Sequence, residues 1–201
     1  MPKSRPNPPC VNPGDTQRAN SPVENCEPGG APLTVAQANG IFRDMAAQQG
    51  TIPFDYPDDC CYSRAHEMCR QLRARGLPCG KVWNYGSGGY ENPSLHARTA
   101  NHPSGSVTWW YHVAPTVPVS GSDGVVRDMV IDPSLFDHPV TVEEWVQRQQ
   151  DPGSRTERTD ASPYFRGPGG GGRDCDNDGA KARAMLAIHA RKRDMRRAAG
   201  F

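Results

Sequence analysis

Three residues of this chain have the types and the spacing of a hydrolytic device: Cys61, His112 and Asp132. A thiolate is a strong nucleophile, and an imidazole takes and returns a proton near neutral pH. A carboxylate fixes the tautomer of that imidazole and stabilises its charged form. Together they would attack a carbonyl carbon, form a thioester and hydrolyse it.

Cys61 is set apart from the other cysteines by the periodic pattern on its C-terminal side. Cys61, Ala65, Met68 and Leu72 recur at helical spacing, which predicts the core-facing stripe of a helix over about 60–75, ended by Gly76 and Pro78. Cys61 then lies in the first turn, where unpaired N–H groups and the helix dipole favour thiolate over thiol. Asp58 and Asp59 oppose that effect, so they are expected to cap the helix or to face solvent.

The histidine and the aspartate come together through a hairpin. Val107–Ala114 and Val125–Asp132 are β-rich runs around the turn signal Ser120–Gly124. A three-residue loop, Gly121 to Asp123, sets Ser120 opposite Gly124 and His112 opposite Asp132, on one face with Cβ atoms ~4.5–5.5 Å apart. A one-residue slip would put them on opposite faces. Pro115 and Pro118 predict that the first strand lies at a sheet edge or bulges near its end.

Around these elements, Thr34 and Gln37 form a capping box opening a helix over 35–48, and Thr141 with Glu144 opens another to about 149. Lys81–Tyr85 reads as a short strand, and 86–105 as a loop. Residues 1–33 hold eight prolines and read as an extended tail, which a Cys10–Cys26 bridge could staple. A catalytic domain is expected over 34–150, a Gly-rich linker or loop over 151–176, and a basic helix within 177–201. The expected fold is α+β, with the nucleophile helix packed on an antiparallel sheet.

Cysteine on a helix, then histidine and aspartate on successive strands, is the order of the papain and transglutaminase class. The stretches Phe54–Asp59, Cys61-Tyr-Ser-Arg-Ala-His66, Tyr111-His-Val-Ala114 and Ile131-Asp-Pro-Ser-Leu-Phe136, with Pro139-Val-Thr141 just beyond, resemble the bacterial protein-glutaminase family over roughly 51–146. Carried over residue by residue, the resemblance implies Cys61 as nucleophile, His112 as histidine and Asp132 as aspartate. It implies deamidation of protein-bound glutamine: thiolate attack on the carboxamide carbon, an oxyanion held by backbone N–H groups near Cys61, protonation of departing ammonia by His112, and hydrolysis of the thioester. The chain departs from the family at Cys60, where glycine is expected, in the 86–105 loop and in the basic C-terminal helix.

Other readings compete. A transglutaminase or cysteine protease would use the same triad, and a non-catalytic, disulfide-stabilised binding module would need none of it. Cys60, Cys61, His66, Cys69 and Cys79 do not repeat a CxxC pair, so neither a metal nor any other cofactor is expected. Cys69 and Cys79 read as core thiols or a local bridge. His66 lies about 140° around the helix from Cys61 and should point elsewhere, as a surface or supporting residue. One of Trp109 and Trp110 should be core; Trp110, with Tyr62, is the candidate to line a substrate groove. Met185 and Ile188 should dock the C-terminal helix, leaving a solvated basic face or a patch for an acidic partner.

A formal net charge of +1 gives no pull toward nucleic acid. No apolar run is long enough to span a membrane, and the first residues lack the apolar core of a leader. Seven cysteines favour secretion or delivery outside the producing cell. The expected partners are a protein with an exposed glutamine and an inhibitor or immunity protein.

Overall fold

The computed structural model describes residues 30–167 and 174–200. In chain order its elements are β1 (Leu33–Thr34), α1 (Val35–Ala46), α2 (Cys61–Ala74), β2 (Gly80–Tyr85), β3 (Leu95–Arg98), β4 (Ser106–Trp109) and β5 (Tyr111–Ser120). After these come β6 (Val126–Val130), β7 (Val140–Thr141), α3 (Val142–Arg148), β8 (Arg155–Asp160), β9 (Pro163–Phe165), β10 (Asp174–Cys175) and α4 (Ala180–Ala198). The architecture is the expected α+β. The proposed Cys10–Cys26 staple and most of the proline-rich tail lie outside the described residues.

Both capping boxes form as read: Thr34 and Gln37, and Thr141 and Glu144, exchange side-chain and backbone hydrogen bonds. The main sheet runs β7-β6-β5-β2-β8 with every neighbouring pair antiparallel, and β1 adds in parallel to the end of β5. Helix α2 lies against β5. Its Cys61 and Ala65 pack with Trp83, Tyr111 and Val113, and its Met68 and Leu72 join Phe42 and Met45 of α1 and Val117 of β5. A separate cluster is built around Trp145 of α3 with Val82, Ala114 and Val130.

Several expectations are corrected. The run 107–114 is two strands: the chain breaks at Trp110, so β4 pairs with β3 in a small sheet while β5 enters the main one. The 86–105 loop therefore contains a strand, whose Leu95 and Ala97 alternate inward. Far from being an edge, β5 is the central strand of the main sheet. It tolerates its prolines because the Pro115 carbonyl still accepts from Ile131 N, at 3.0 Å, and because Pro118 lies beyond Gly80, where β2 has ended.

The stretch read as linker supplies β8, the other edge of the main sheet. Its residues, Arg-Thr-Glu-Arg-Thr-Asp, are all polar and mostly exposed, which suits an edge that must not recruit another strand and leaves no apolar alternation to read.

Candidate active site

Cys61 is the first residue of α2, as expected, but neither aspartate caps the helix. The N-cap is Cys60, in the left-handed region at φ 71°, with no side-chain cap. Asp59 instead accepts from Cys60 N at 2.6 Å. The glycine expected at 60 now has its reason: only glycine adopts that backbone without cost. Arg64 N closes the first helical bond on Cys60 O at 3.0 Å, so the amides of Cys61, Tyr62 and Ser63 have no partner within the helix and are left as donors. Asp58 is neutralised from outside, by Arg196 at 2.9 Å and His102 at 3.0 Å.

His112 enters from the start of β5 and Asp132 from the turn just after β6. His112 Nε2 meets Asp132 Oδ2 at 2.8 Å. The hairpin register differs from expectation: Ser120 faces Val126, so the loop runs over 121–125 and pairing is displaced by two residues. An even displacement keeps both side chains on one face. The turn Asp132–Phe136, in which Leu135 N and Phe136 N donate to Asp132 O at 3.2 and 3.1 Å, sets the carboxylate under the imidazole.

Both groups are almost sealed from water, His112 being 1% and Asp132 4% exposed. Burial alone would push the His112 pKa down, but the charge and hydrogen bond of Asp132, with Cys61 beyond, push it up to about 9. Burial would likewise raise Asp132; the His112 charge and the hydrogen bonds from His112, Ser134 and Trp145 hold it at about 2. Nε2 thus belongs to the carboxylate. Nδ1 has no hydrogen-bond partner and is left for Cys61, whose sulfur is close enough to add to the ring's basicity. This keeps an imidazolium beside the Cys61 sulfur.

The glutaminase family profile matches residues 38–149, more than half of the chain, and spans all three of these residues. This chain belongs to the glutaminase family. Among solved structures it is similar to a pro-protein-glutaminase, with 28% identity, a TM-score of 0.67, and coverage of 80% of this chain and 58% of that one. A second, a protein-glutaminase, gives 28% identity and a TM-score of 0.65 over 80% of this chain and 89% of that one. The protein-glutaminase from Chryseobacterium proteolyticum gives 30% identity and a TM-score of 0.62 over 78% and 86%. The chain thus spans less than two thirds of the pro-form. No curated protein sequence matches.

Within this glutaminase fold, sequence reasoning missed the residues that hold the histidine and the carboxylate. Ser134 gives Asp132 Oδ1 two hydrogen bonds, from Oγ at 2.5 Å and N at 3.2 Å, and Trp145 Nε1 donates to Oδ2 at 2.9 Å. The His112 ring lies between two indoles, Trp109 at 4.5 Å and 8° and Trp145 at 5.3 Å and 22°. Trp109 is in turn anchored through Nε1 on Pro57 O at 2.9 Å. The tight Asp-Pro-Ser turn was a signal for Ser134; nothing local marked Trp145.

Trp110 and Tyr62, the two groove candidates, pack at the rim of the Cys61 cluster with Phe165. Tyr62 stands edge-on to Tyr164 and Phe165, and Trp110 contacts Tyr85, Tyr90 and Tyr111. The Tyr111 hydroxyl is also directed at Cys61; burial first, then the neighbouring Cys61 and Asp59, push its pKa well above the ordinary phenol, so it stays a neutral donor.

His66 points away from Cys61 as expected, yet it is buried, because α4 and β9 cover that side of α2. Its Nε2 meets Asp176 O at 2.7 Å and its Nδ1 meets Lys81 Nζ at 3.0 Å. Burial, then the Lys81 charge, push its pKa down to about 4. Among the described residues, no cluster of histidine, cysteine and carboxylate is arranged to hold a metal ion. Ile188 does not dock: it is 46% exposed, and α4 is held by Leu186, His189 and Arg193. The basic face finds acidic partners inside the chain, since Arg193 and Arg197 pair with Asp55 and Arg196 with Asp58.

Proposed function

We propose that this chain hydrolyses the side-chain carboxamide of protein-bound glutamine to glutamate and ammonia, with Cys61 as nucleophile, His112 as general base and acid, and Asp132 as the carboxylate that orients and charges the imidazole. The observation that carries this reading is the division of His112: Nε2 is fixed on Asp132, and Nδ1 is left to the thiol at the head of α2. The thiolate attacks the amide carbon, and first-turn amides stabilise the oxyanion. The imidazolium gives its proton to the leaving ammonia, then takes one from the water that cleaves the thioester. The aromatic rim of Trp110 and Tyr62 would flank a long, narrow glutamine side chain and hold back competing amines.

Delivery outside the producing cell belongs to the same proposal. Seven cysteines and a disulfide at Cys175 support it, and among the described residues no helix is long and apolar enough to cross a membrane. An effector aimed at host or rival proteins would require an inhibitor or immunity protein in the producer. The test is product mass spectrometry on a mixed protein extract, wild type against Cys61→Ala. Amide-to-acid conversion of glutamine with ammonia release, absent in the variant, is expected. Cross-links or backbone cleavage in place of conversion would replace this reading with a transglutaminase or a protease.

A further inference from the structure

Cys69 on α2 and Cys79 just ahead of β2 are both free thiols. Their sulfurs reach the same acceptor, the Gly80 carbonyl, at 3.4 Å from Cys69 and 3.5 Å from Cys79, close enough together that each thiol affects the other's ionisation. Two sulfurs held on one oxygen share the same small space, and a disulfide requires them to close to bonding distance. Their exposures differ: Cys69 is 1% exposed and Cys79 lies partly open to solvent. Cys79 is therefore the first of the two for an external disulfide to meet, and Cys69 is placed to resolve the product.

The surroundings favour that second step. Lys81 is 1% exposed, with Nζ donating to Pro163 O and lying 3.0 Å from His66 Nδ1. Burial would raise the Cys69 pKa, but the hydrogen bond from Cys79 and the Lys81 charge outweigh it and draw it down; Cys79 is pushed up by burial and by Cys69. Of the two, the buried sulfur is the one whose thiolate is favoured, and thiolate is the attacking species in exchange.

We propose that Cys69 and Cys79 are an oxidative modification site, closing into a disulfide that ties the helix bearing Cys61 to β2, the strand beside the one bearing His112. The oxidant is a small disulfide RSSR or the disulfide of an oxidoreductase. The deprotonated fraction of Cys79 attacks RSSR, forming a mixed disulfide and releasing RS⁻, which takes up the Cys79 proton as RSH. The Cys69 thiolate attacks the Cys79 sulfur, forming the internal S–S bond and releasing a second RSH. Two protein thiols are oxidised, one external disulfide is reduced, and the two protein protons leave on the two RSH. Cys61, eight positions earlier and about 12 Å along the helix, is not consumed.

The experiment equilibrates the full chain in mixed oxidised and reduced glutathione, quenches with acid, alkylates, and digests with trypsin without reduction. Cleavage after Arg70, Arg75 and Lys81 separates the two cysteines, so the bridge is read as a linked peptide pair that reductant splits. The linked pair is expected, with the alkylated Cys69 and Cys79 peptides of the reduced protein both lost. Because Cys175 is also in a disulfide, the stability readout is the oxidised-minus-reduced shift in Tm. It should be several degrees larger in wild type than in Cys79→Ser. Separate alkylation of both cysteines in the oxidised wild type, glutathione retained on Cys79, or a link from Cys69 to any other cysteine would overturn the proposal.

Discussion

Helix α2 faces two buried histidines, His112 at its head and its own His66 farther along, and they are driven in opposite directions. His112 is pushed up to about 9 and His66 down to about 4. Both are buried, and both are hydrogen-bonded through Nε2. The difference is the partner: a carboxylate for His112, a backbone carbonyl and a lysine for His66. Burial penalises the imidazolium in both places, and only a full negative charge beside the ring reverses the penalty. The thiols differ in their surroundings as well. Cys61 sits at the open end of the helix beside an ionisable base, whereas Cys69 sits mid-helix beside a second thiol and a lysine.

The largest expected effect separates the two cysteines. Cys61→Ala should abolish ammonia release from a protein substrate, by at least about a thousandfold, while Cys69→Ala should leave it within about twofold. Equal losses in the two variants would erase the distinction between the sites.

Removing the charge that separates the histidines comes next. Asp132→Asn should lower kcat by about a thousandfold or more and shift the alkaline limb of kcat/KM to lower pH. The folded pKa of His112, about 9, exceeds its ordinary 6.5, so its stabilisation is fully present below about pH 6.5 and is lost as pH rises through about 9. Urea unfolding of the wild type should show that alkaline decline, and Asp132→Asn should flatten it.

A smaller loss is expected from the donors that hold Asp132. Ser134→Ala and Trp145→Phe each remove a charge-assisted hydrogen bond worth about 1.5–3 kcal/mol. Each should lower kcat by roughly tenfold with little change in KM, and Ser134→Thr, which retains the hydroxyl, should recover most of the activity.

The smallest effect concerns His66. Its folded pKa, about 4, lies below the ordinary 6.5, so the unfolded chain takes up the proton first, and stability falls as pH drops from about 6.5 toward 4. At pH 5 the loss should be about 1–2 kcal/mol relative to pH 7, and His66→Gln should reduce it. A decline that persists unchanged in the variant would assign acid lability elsewhere.

Local pattern made part of this fold legible. Cys61 could be placed at a helix start because the Cys61, Ala65, Met68, Leu72 stripe and the Gly76–Pro78 stop are signals within one element. The two capping boxes formed for the same reason. His112 and Asp132 were brought together correctly with a register that was two residues out, because side-chain direction in a strand repeats every two residues. The prolines of β5 misled, since whether a proline is tolerated depends on where neighbouring strands end.

By itself the sequence determined the chain order of cysteine, histidine and aspartate, the helix that presents Cys61 and the face that His112 and Asp132 share, because each of these depends on short-range periodicity and capping. Only the tertiary structure decided which nitrogen of His112 meets the carboxylate, and that Ser134, Trp145 and Trp109 hold the pair. The same holds for the burial of His66 beside Lys81, and for the polar stretch 155–160 closing the sheet. These outcomes rest on contacts between residues far apart in the chain, where burial and the charge of a neighbour, rather than local spacing, set the energy.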